Sequence, residues 1–250
     1  MAQFKNAYAS HEHSQEILNM LYGYDSFLDS LSNIADMGCG EGLDTQWWAT
    51  LMTRDDPPEP HNYTVYAVDQ DLTQLSPEVT ELPNVIPIEG NFEQRTIPVS
   101  VDLIWAHDSF QYARNPLQCL KTWKNTLNTN GMLVMAIPQT TYMHNNRPVI
   151  ENHSHQYYSY NILNLIYMLA ISGFDCRDAY FYRKENTPWL YAGVYASDSD
   201  PILEHASWYD LADRKLINDS IIHSLDRYGY ARLDDVVVSW FDKNLYQITN

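Results

Sequence analysis

Between Ser14 and Leu31, the apolar residues Ile17, Leu18, Leu21, Tyr22 and Leu28 recur at mixed three- and four-residue spacing, which predicts one or two helices ahead of the first strand. An apolar run from Leu31 then enters Ile34-Ala35-Asp36-Met37-Gly38-Cys39-Gly40-Glu41-Gly42. A helix-like stretch from Asp44 to Met52 leaves it, with Trp47, Trp48, Leu51 and Met52 on its apolar side. That helix must stop before Asp55-Asp56-Pro57-Pro58-Glu59-Pro60, since clustered prolines mark a loop. Tyr63 to Val68, β-branched and aromatic and closed by Asp69, predicts a second strand; Asn84 to Ile88 predicts a third and Val101 to Trp105 a fourth.

Pro116 to Leu127 reads as a helix opened by proline in its first turn. Asn130-Gly131 turns into Met132-Leu133-Val134-Met135-Ala136-Ile137, a continuous apolar run of the kind that suits a central parallel strand covered on both faces. Tyr160 to Ile171 predicts another helix, ended by Gly173, and Phe174 to Arg183 and Pro188 to Ala196 predict two late strands. Strand and helix alternate to about residue 172 and then two strands come together, so the expected fold is α/β, with a mostly parallel sheet ending in an antiparallel hairpin and helices on both faces. Residues 1–197 form that unit together with the N-terminal helices. Residues 198–250 are expected to be a helical extension packed on it, through Trp208, Leu211, Leu216, Ile217, Ile221, Ile222 and Leu225. Val236-Val237-Val238 and Trp240-Phe241 form an apolar knot with no obvious place in the sheet.

Charge narrows the choice of partners. Asp and Glu number 32 against 15 Lys and Arg, a net charge of −17, and no basic cluster is present, so a nucleic-acid partner is disfavoured. Three widely spaced cysteines, Cys39, Cys119 and Cys176, make neither a disulfide framework nor a metal knuckle. No signal-type core opens the chain and no run reaches membrane-spanning length, so a cytoplasmic protein without a membrane partner is expected. A homodimer is compatible with the composition.

Three of the nine glycines fall at 38, 40 and 42. Glycine concentrates where the backbone needs positive φ or where something must approach it closely. Strand, glycine loop and helix in that order predict a nucleotide-type site with amide N–H groups facing a ligand. G-x-G-x-G lacks the third glycine of the dinucleotide fingerprint, and no G-x-x-x-x-G-K-S/T element is present, which argues against a nicotinamide or phosphate-cradling loop.

The glycine window, the acid closing the second strand, the polar pair Asn91-Phe92, Val101-Asp102-Leu103-Ile104-Trp105, and Asn130-Gly131-Met132-Leu133-Val134 occur in an order that resembles the class I S-adenosylmethionine-dependent methyltransferases of the small-molecule type. The resemblance covers about residues 14–196 and implies a Rossmann-like seven-stranded sheet, S-adenosylmethionine as cofactor and a small-molecule methyl acceptor. It implies that Gly38, Gly40 and Gly42 let the main chain pass the ligand, and that Asp36 attracts the methionyl ammonium. Asp69 is expected to accept the ribose hydroxyls, and Gln70, Asn91 and Phe92 to lie at the adenine. Asp69 follows Gly42 by more than the usual interval of about 20 residues, the excess being the proline-rich loop at 55–62.

His107 and Asp108 follow the fourth strand, where the family faces the departing methyl group; either can bind substrate or act as a general base, or simply cap the strand and the next helix. Gln111 and Tyr112 stand one turn on, where relatives often carry a second acid–base group. His153, His155 and Tyr158 are expected in the acceptor pocket; with no cysteine or second carboxylate nearby, His144, His153 and His155 are not read as a metal site. The competing reading is a regulatory or structural module that binds S-adenosylmethionine or S-adenosylhomocysteine without methyl transfer, with a blocked face near His107.

Overall fold

The computed structural model describes residues 12–21, 25–53, 55, 57–94, 97–139, 142–144, 147–149, 157–183, 188–202 and 205–232. Two helices, α1 (Glu12–Leu21) and α2 (Asp25–Leu28), precede β1 (Asn33–Met37), α3 (Leu43–Ala49), β2 (Thr64–Asp69), α4 (Pro77–Thr80), β3 (Val85–Glu89) and β4 (Val101–His107). Then come α5 (Pro116–Thr126), β5 (Leu127–Pro138), the short strands β6 (Tyr142–His144) and β7 (Arg147–Val149), α6 (Ile162–Ile171), β8 (Phe174–Arg183), β9 (Trp189–Ala196), α7 (Trp208–Asp213) and α8 (Asp219–Tyr228). The seven-stranded sheet has the order β3-β2-β1-β4-β5-β9-β8, parallel through β5 and antiparallel at β9 and β8.

The twofold alternation of a strand divides the core. Ala35 and Met37, Ile104 and Ala106, and Leu133 and Met135 face one side, packed with Trp123 of α5, Leu165 and Leu169 of α6, and Leu211 and Ile221 of α7 and α8. Ile34, Leu103, Trp105, Met132 and Val134 face the other side, against Ile17 and Leu18 of α1 and Trp47 and Trp48 of α3. By that parity Asp36 and His107 belong to the α1–α3 side.

Several boundaries differ from the sequence expectation. The helix after the glycine window ends at Ala49 instead of Met52, and Met52 instead pairs with Pro60 across the proline-rich loop. β4 runs on to His107, which makes His107 a strand residue. Asn130-Gly131 does not separate two elements: Val101 pairs with Leu127 and Leu103 with Met132, so residues 128–131 bulge out of β5, with Asn130 at φ 64°. The hairpin of β6 and β7 was not expected.

The described part of the C-terminal segment is helical and shares the α5–α6 core, with Leu211, Leu216, Ile217 and Ile221 all buried. The Cys176 amide donates to the Leu216 carbonyl at 2.9 Å, so this segment also covers edge strand β8. An edge strand left bare is a template for pairing with another chain. The apolar knot from Val236 to Phe241 lies outside the described residues.

Candidate functional site

The glycine loop joins β1 to α3 with Gly38, Gly40 and Gly42 at φ 83°, 51° and 83°. The three are required for different reasons. A Cβ on Gly38 would sit 2.5 Å from the Ser109 Cβ, and one on Gly42 would sit 2.4 Å from Leu75 Cδ1, so the protein itself presses on these two positions. A Cβ on Gly40 would meet nothing within 4 Å, so this is the glycine of the loop that opens onto space. Gly42 is buried and lines neither of the two cavities of the site.

Four of the loop amides, those of Gly38, Cys39, Gly40 and Gly42, are taken up within the fold. Gly38 and Cys39 both donate to the Val68 carbonyl, at 2.8 and 3.1 Å, and Gly42 donates to the Cys39 carbonyl at 2.9 Å. Gly40 donates to Asp69 Oδ2 at 3.0 Å. β2 therefore holds the loop shut, and the Asp69 carboxylate is fixed to it. The Asp71 amide holds the other oxygen, Oδ1, at 3.2 Å. An ionised carboxylate has about four acceptor positions, so both oxygens keep capacity for further donors.

Asp36 is buried at 2% exposure, and Thr45 Oγ1 donates to its Oδ2 at 2.6 Å. Burial first, and then the Asp44 charge, push the Asp36 carboxyl up to about 8. Burial and the Asp36 and Asp69 charges likewise push the Cys39 thiol far above its ordinary range, which leaves it an inert filler of the loop.

Two cavities border residues bonded or adjacent to Asp69, which itself lines neither. The first, of about 310 Å³, is lined by Asp36, Gly38, Gly40, Asp44, His107 and Asp108 among others. The second, of about 340 Å³, is lined by Gln70, Asn91, Phe92, Tyr112, Arg114 and Tyr157, with Glu93. Asp69 bonds to Gly40 of the first and precedes Gln70 of the second. Asn91 Oδ1 accepts from the Glu93 amide at 2.9 Å, which shapes the turn after β3. Phe92 is held from behind by Trp123, whose indole N–H donates to the Phe92 carbonyl at 2.8 Å.

His107 ends β4 with its ring near those of Trp105 and Trp189, at centroid distances of 6.3 and 6.0 Å and with planes within 26°. Asp108 takes φ 52° and accepts from the Gln111 side-chain amide. It is not the N-cap of the following turn; Ser109 is. Gln111 is buried behind Asp108 and not at either cavity wall, whereas Tyr112 lines the second cavity, away from His107. The Tyr158 hydroxyl donates to the Arg114 carbonyl at 3.3 Å and lines neither cavity. His153 and His155 lie outside the described residues.

Sequence reasoning missed Asp44 and Thr45 in the first turn of α3, together with Arg114 and Tyr157. For Asp44 and Thr45 a signal existed: strand parity puts Asp36 and His107 on the face that α3 covers, so polar residues opening α3 must meet them.

Residues 35–135 match the family model described as a methyltransferase domain. A trans-aconitate 2-methyltransferase of Rhodopseudomonas palustris is 30% identical over 111 residues, 44% of this chain and 40% of that protein. The chain therefore matches well under half the length of that curated relative. Among solved structures, a Burkholderia thailandensis 1,6-didemethyltoxoflavin-N1-methyltransferase, with bound 1,6-didemethyltoxoflavin and S-adenosylhomocysteine, superposes with a TM-score of 0.52 at 14% identity, over 76% of this chain and 84% of that one. The [4+2]-cyclase SpnF superposes with a TM-score of 0.57 at 13% identity, over 75% and 83%. At such identities these two structures share the fold. The family match over residues 35–135, the strand order and the glycine loop agree: this part of the chain is similar to methyltransferase domains.

Proposed function

We propose that this chain binds S-adenosylmethionine across the two cavities and transfers its methyl group to a small-molecule acceptor by direct displacement. The observation that carries the reading is Asp69, tied by one oxygen to Gly40 of the first cavity and by the other to the Asp71 amide, with acceptor capacity left on both oxygens for a ribose diol. A loop whose Gly38, Cys39, Gly40 and Gly42 amides are taken up within the fold suits an adenosyl amino acid, which brings no phosphate, better than a dinucleotide. In this reading Asp36 holds the ammonium group, Gly38 and Gly40 border the methionyl part, and Gln70, Asn91 and Phe92 take the adenine together with Tyr112 and Tyr157.

The bound cofactor supplies a methyl group on a cationic sulfur that leaves as a neutral thioether. What the protein must add is alignment, and a base where the acceptor loses a proton. His107 and Asp108 are the groups proposed for that work, because both line the cavity beside Asp36. Of the other residues expected at the acceptor, Gln111 and Tyr158 line neither cavity, so the proposal rests on His107 and Asp108. The small-molecule acceptor accords with the net charge of −17, and none of the described helices is long and apolar enough to cross a membrane. A cofactor-binding module without transfer is less favoured, since His107 and Asp108 border a cavity and are not walled off from it. That SpnF is described as a cyclase is the reason to test transfer directly.

Titration calorimetry with S-adenosylhomocysteine is expected to give 1:1 binding in roughly the micromolar range, and Asp69→Ala to lose at least about tenfold, or about 1.4 kcal/mol. Absence of binding would remove the cofactor reading. A product screen by mass spectrometry over phenols, amines and carboxylates, trans-aconitate included, then separates enzyme from module.

A further inference from the structure

We propose that Gln74, at the rim of the first cavity, holds the carboxylate of the ligand's amino-acid end through its side-chain amide. The assignment rests on the cofactor reading, in which an adenosyl amino acid places its ammonium group at Asp36.

An amino-acid end is a zwitterion, and the first cavity suits only half of it. Asp36, Glu41, Asp44 and Asp108 border that cavity and oppose a carboxylate, and no lysine or arginine stands among its described lining residues. The amides of Gly38, Cys39, Gly40 and Asp108 are taken up by the Val68 carbonyl, the Asp69 carboxylate and the Ala136 carbonyl. His107 is 8% exposed, with Nδ1 3.4 Å from Asp44 Oδ2. Gln74 lines the same cavity, is exposed, and its side chain has no hydrogen-bond partner among the described residues.

An amide suits this place better than a cation. A lysine or arginine set among four acids would be claimed by the nearest of them, whereas the amide offers two N–H donors and no charge. Donated to an ionised carboxylate, such a bond is stronger than one between neutral groups.

The backbone is built to present Gln74 there. It closes a single 3-10 turn, Leu72–Gln74, capped by Asp71, whose Oδ1 accepts from the Thr73 amide at 3.0 Å. The Asp71 amide in turn donates to Asp69 Oδ1 at 3.2 Å. On the other side Leu75 is buried against Gly42, and the Ser76 amide donates to the Glu41 carbonyl at 3.2 Å. The turn is thus fastened to the end of β2 before Gln74 and to the glycine loop after it.

The test is titration calorimetry of the full-length protein with S-adenosylhomocysteine and with its decarboxylated counterpart, which keeps the ammonium group, the thioether and the nucleoside. Gln74→Leu is expected to weaken S-adenosylhomocysteine by about tenfold and to leave the decarboxylated ligand within about twofold. Gln74→Glu adds a further acid, so it is expected to weaken S-adenosylhomocysteine more and to tighten the decarboxylated ligand. An equal loss for both ligands in Gln74→Leu, or no loss for either, would overturn the assignment, as would a Gln74→Glu that weakens both. Should Gln74→Leu fail to fold, the opposite signs expected of Gln74→Glu decide alone. Wild type that fails to bind S-adenosylhomocysteine sinks the cofactor reading and the assignment with it, whereas wild-type binding without these differences sinks the assignment alone.

Discussion

Asp36 and Thr45 meet beneath the glycine loop, the hydroxyl of the helix residue donating to the buried carboxyl of the strand residue at 2.6 Å. The contact explains how an acid at 2% exposure is tolerated. The Thr45 hydroxyl and backbone amide together do not offset its desolvation, and its carboxyl is pushed up to about 8 from 3.8, by burial first and the Asp44 charge second. The unliganded fold thus favours protonated Asp36, whereas an ammonium ligand favours the carboxylate.

The sign of the pH dependence follows. The folded state holds this proton more tightly than the unfolded chain, so the group's contribution to stability is fully present below about pH 4 and is lost as pH rises through about 8. Asp36→Asn is expected to flatten the fall of Tm between those pH values and to weaken S-adenosylhomocysteine by at least about tenfold, or about 1.4 kcal/mol. Calorimetry in buffers of different ionisation enthalpy should also show proton release on binding at neutral pH in wild type and none in the variant. Equal Tm profiles for the two proteins would refute the assignment.

The three glycines should separate in a stability series. Gly38→Ala drives a Cβ to 2.5 Å from the Ser109 Cβ, which is anchored at the backbone, and is expected to cost about 1–3 kcal/mol for the overlap and roughly another 1–2 for the left-handed φ. Gly42→Ala meets the end of the Leu75 side chain, which can give way, so its cost should be smaller. Gly40→Ala has open space and should lose about 1 kcal/mol of stability while losing proportionally more ligand affinity. Denaturant melts and calorimetry on the three variants measure both quantities.

Much of the sheet was legible because Val, Ile and Leu runs such as 132–137 leave a central strand no alternative. The glycine loop was legible as a loop, but its amide partners were not: that Gly38 and Cys39 both turn to Val68 depends on how β1 and β2 register. Asp44 went unread because a single acid at a helix start has a sufficient local explanation in the helix dipole. Only the parity of β1 and β4, with Asp36, Trp105 and His107 on one face, singles it out. Asn130-Gly131 misled because the pair usually marks a hairpin turn, whereas here it lies in a bulge of one strand.

The C-terminal helices should prove inseparable from the rest. Leu211 and Ile221 are 0% and 1% exposed, in the same core as α5 and α6. Replacing either by Ala is expected to cost about 2–5 kcal/mol, measured as a lower denaturation midpoint with an unchanged slope. Truncation after residue 206 would bare the edge of β8 at Cys176 and should give aggregated protein by size-exclusion chromatography. A soluble, cooperatively melting truncation would make the segment a true appendage.

Charge at the first cavity should sort acceptors. Among its described lining residues Asp36, Glu41, Asp44 and Asp108 are acids, and His107 is the one side chain able to carry positive charge. A carboxylate acceptor would enter against that field and would have no proton for His107 to take. A hydroxyl or amine acceptor has a proton to lose and meets no repulsion. For acceptors of matched shape, kcat/KM for the hydroxyl or amine is therefore expected to exceed that of the carboxylate by at least about tenfold, or about 1.4 kcal/mol of transition-state stabilisation. Added salt should narrow the gap, since screening weakens repulsion between partly exposed charges. A carboxylate preferred at low salt would show that groups beyond this lining reverse the field, and would remove the need for His107 as a base.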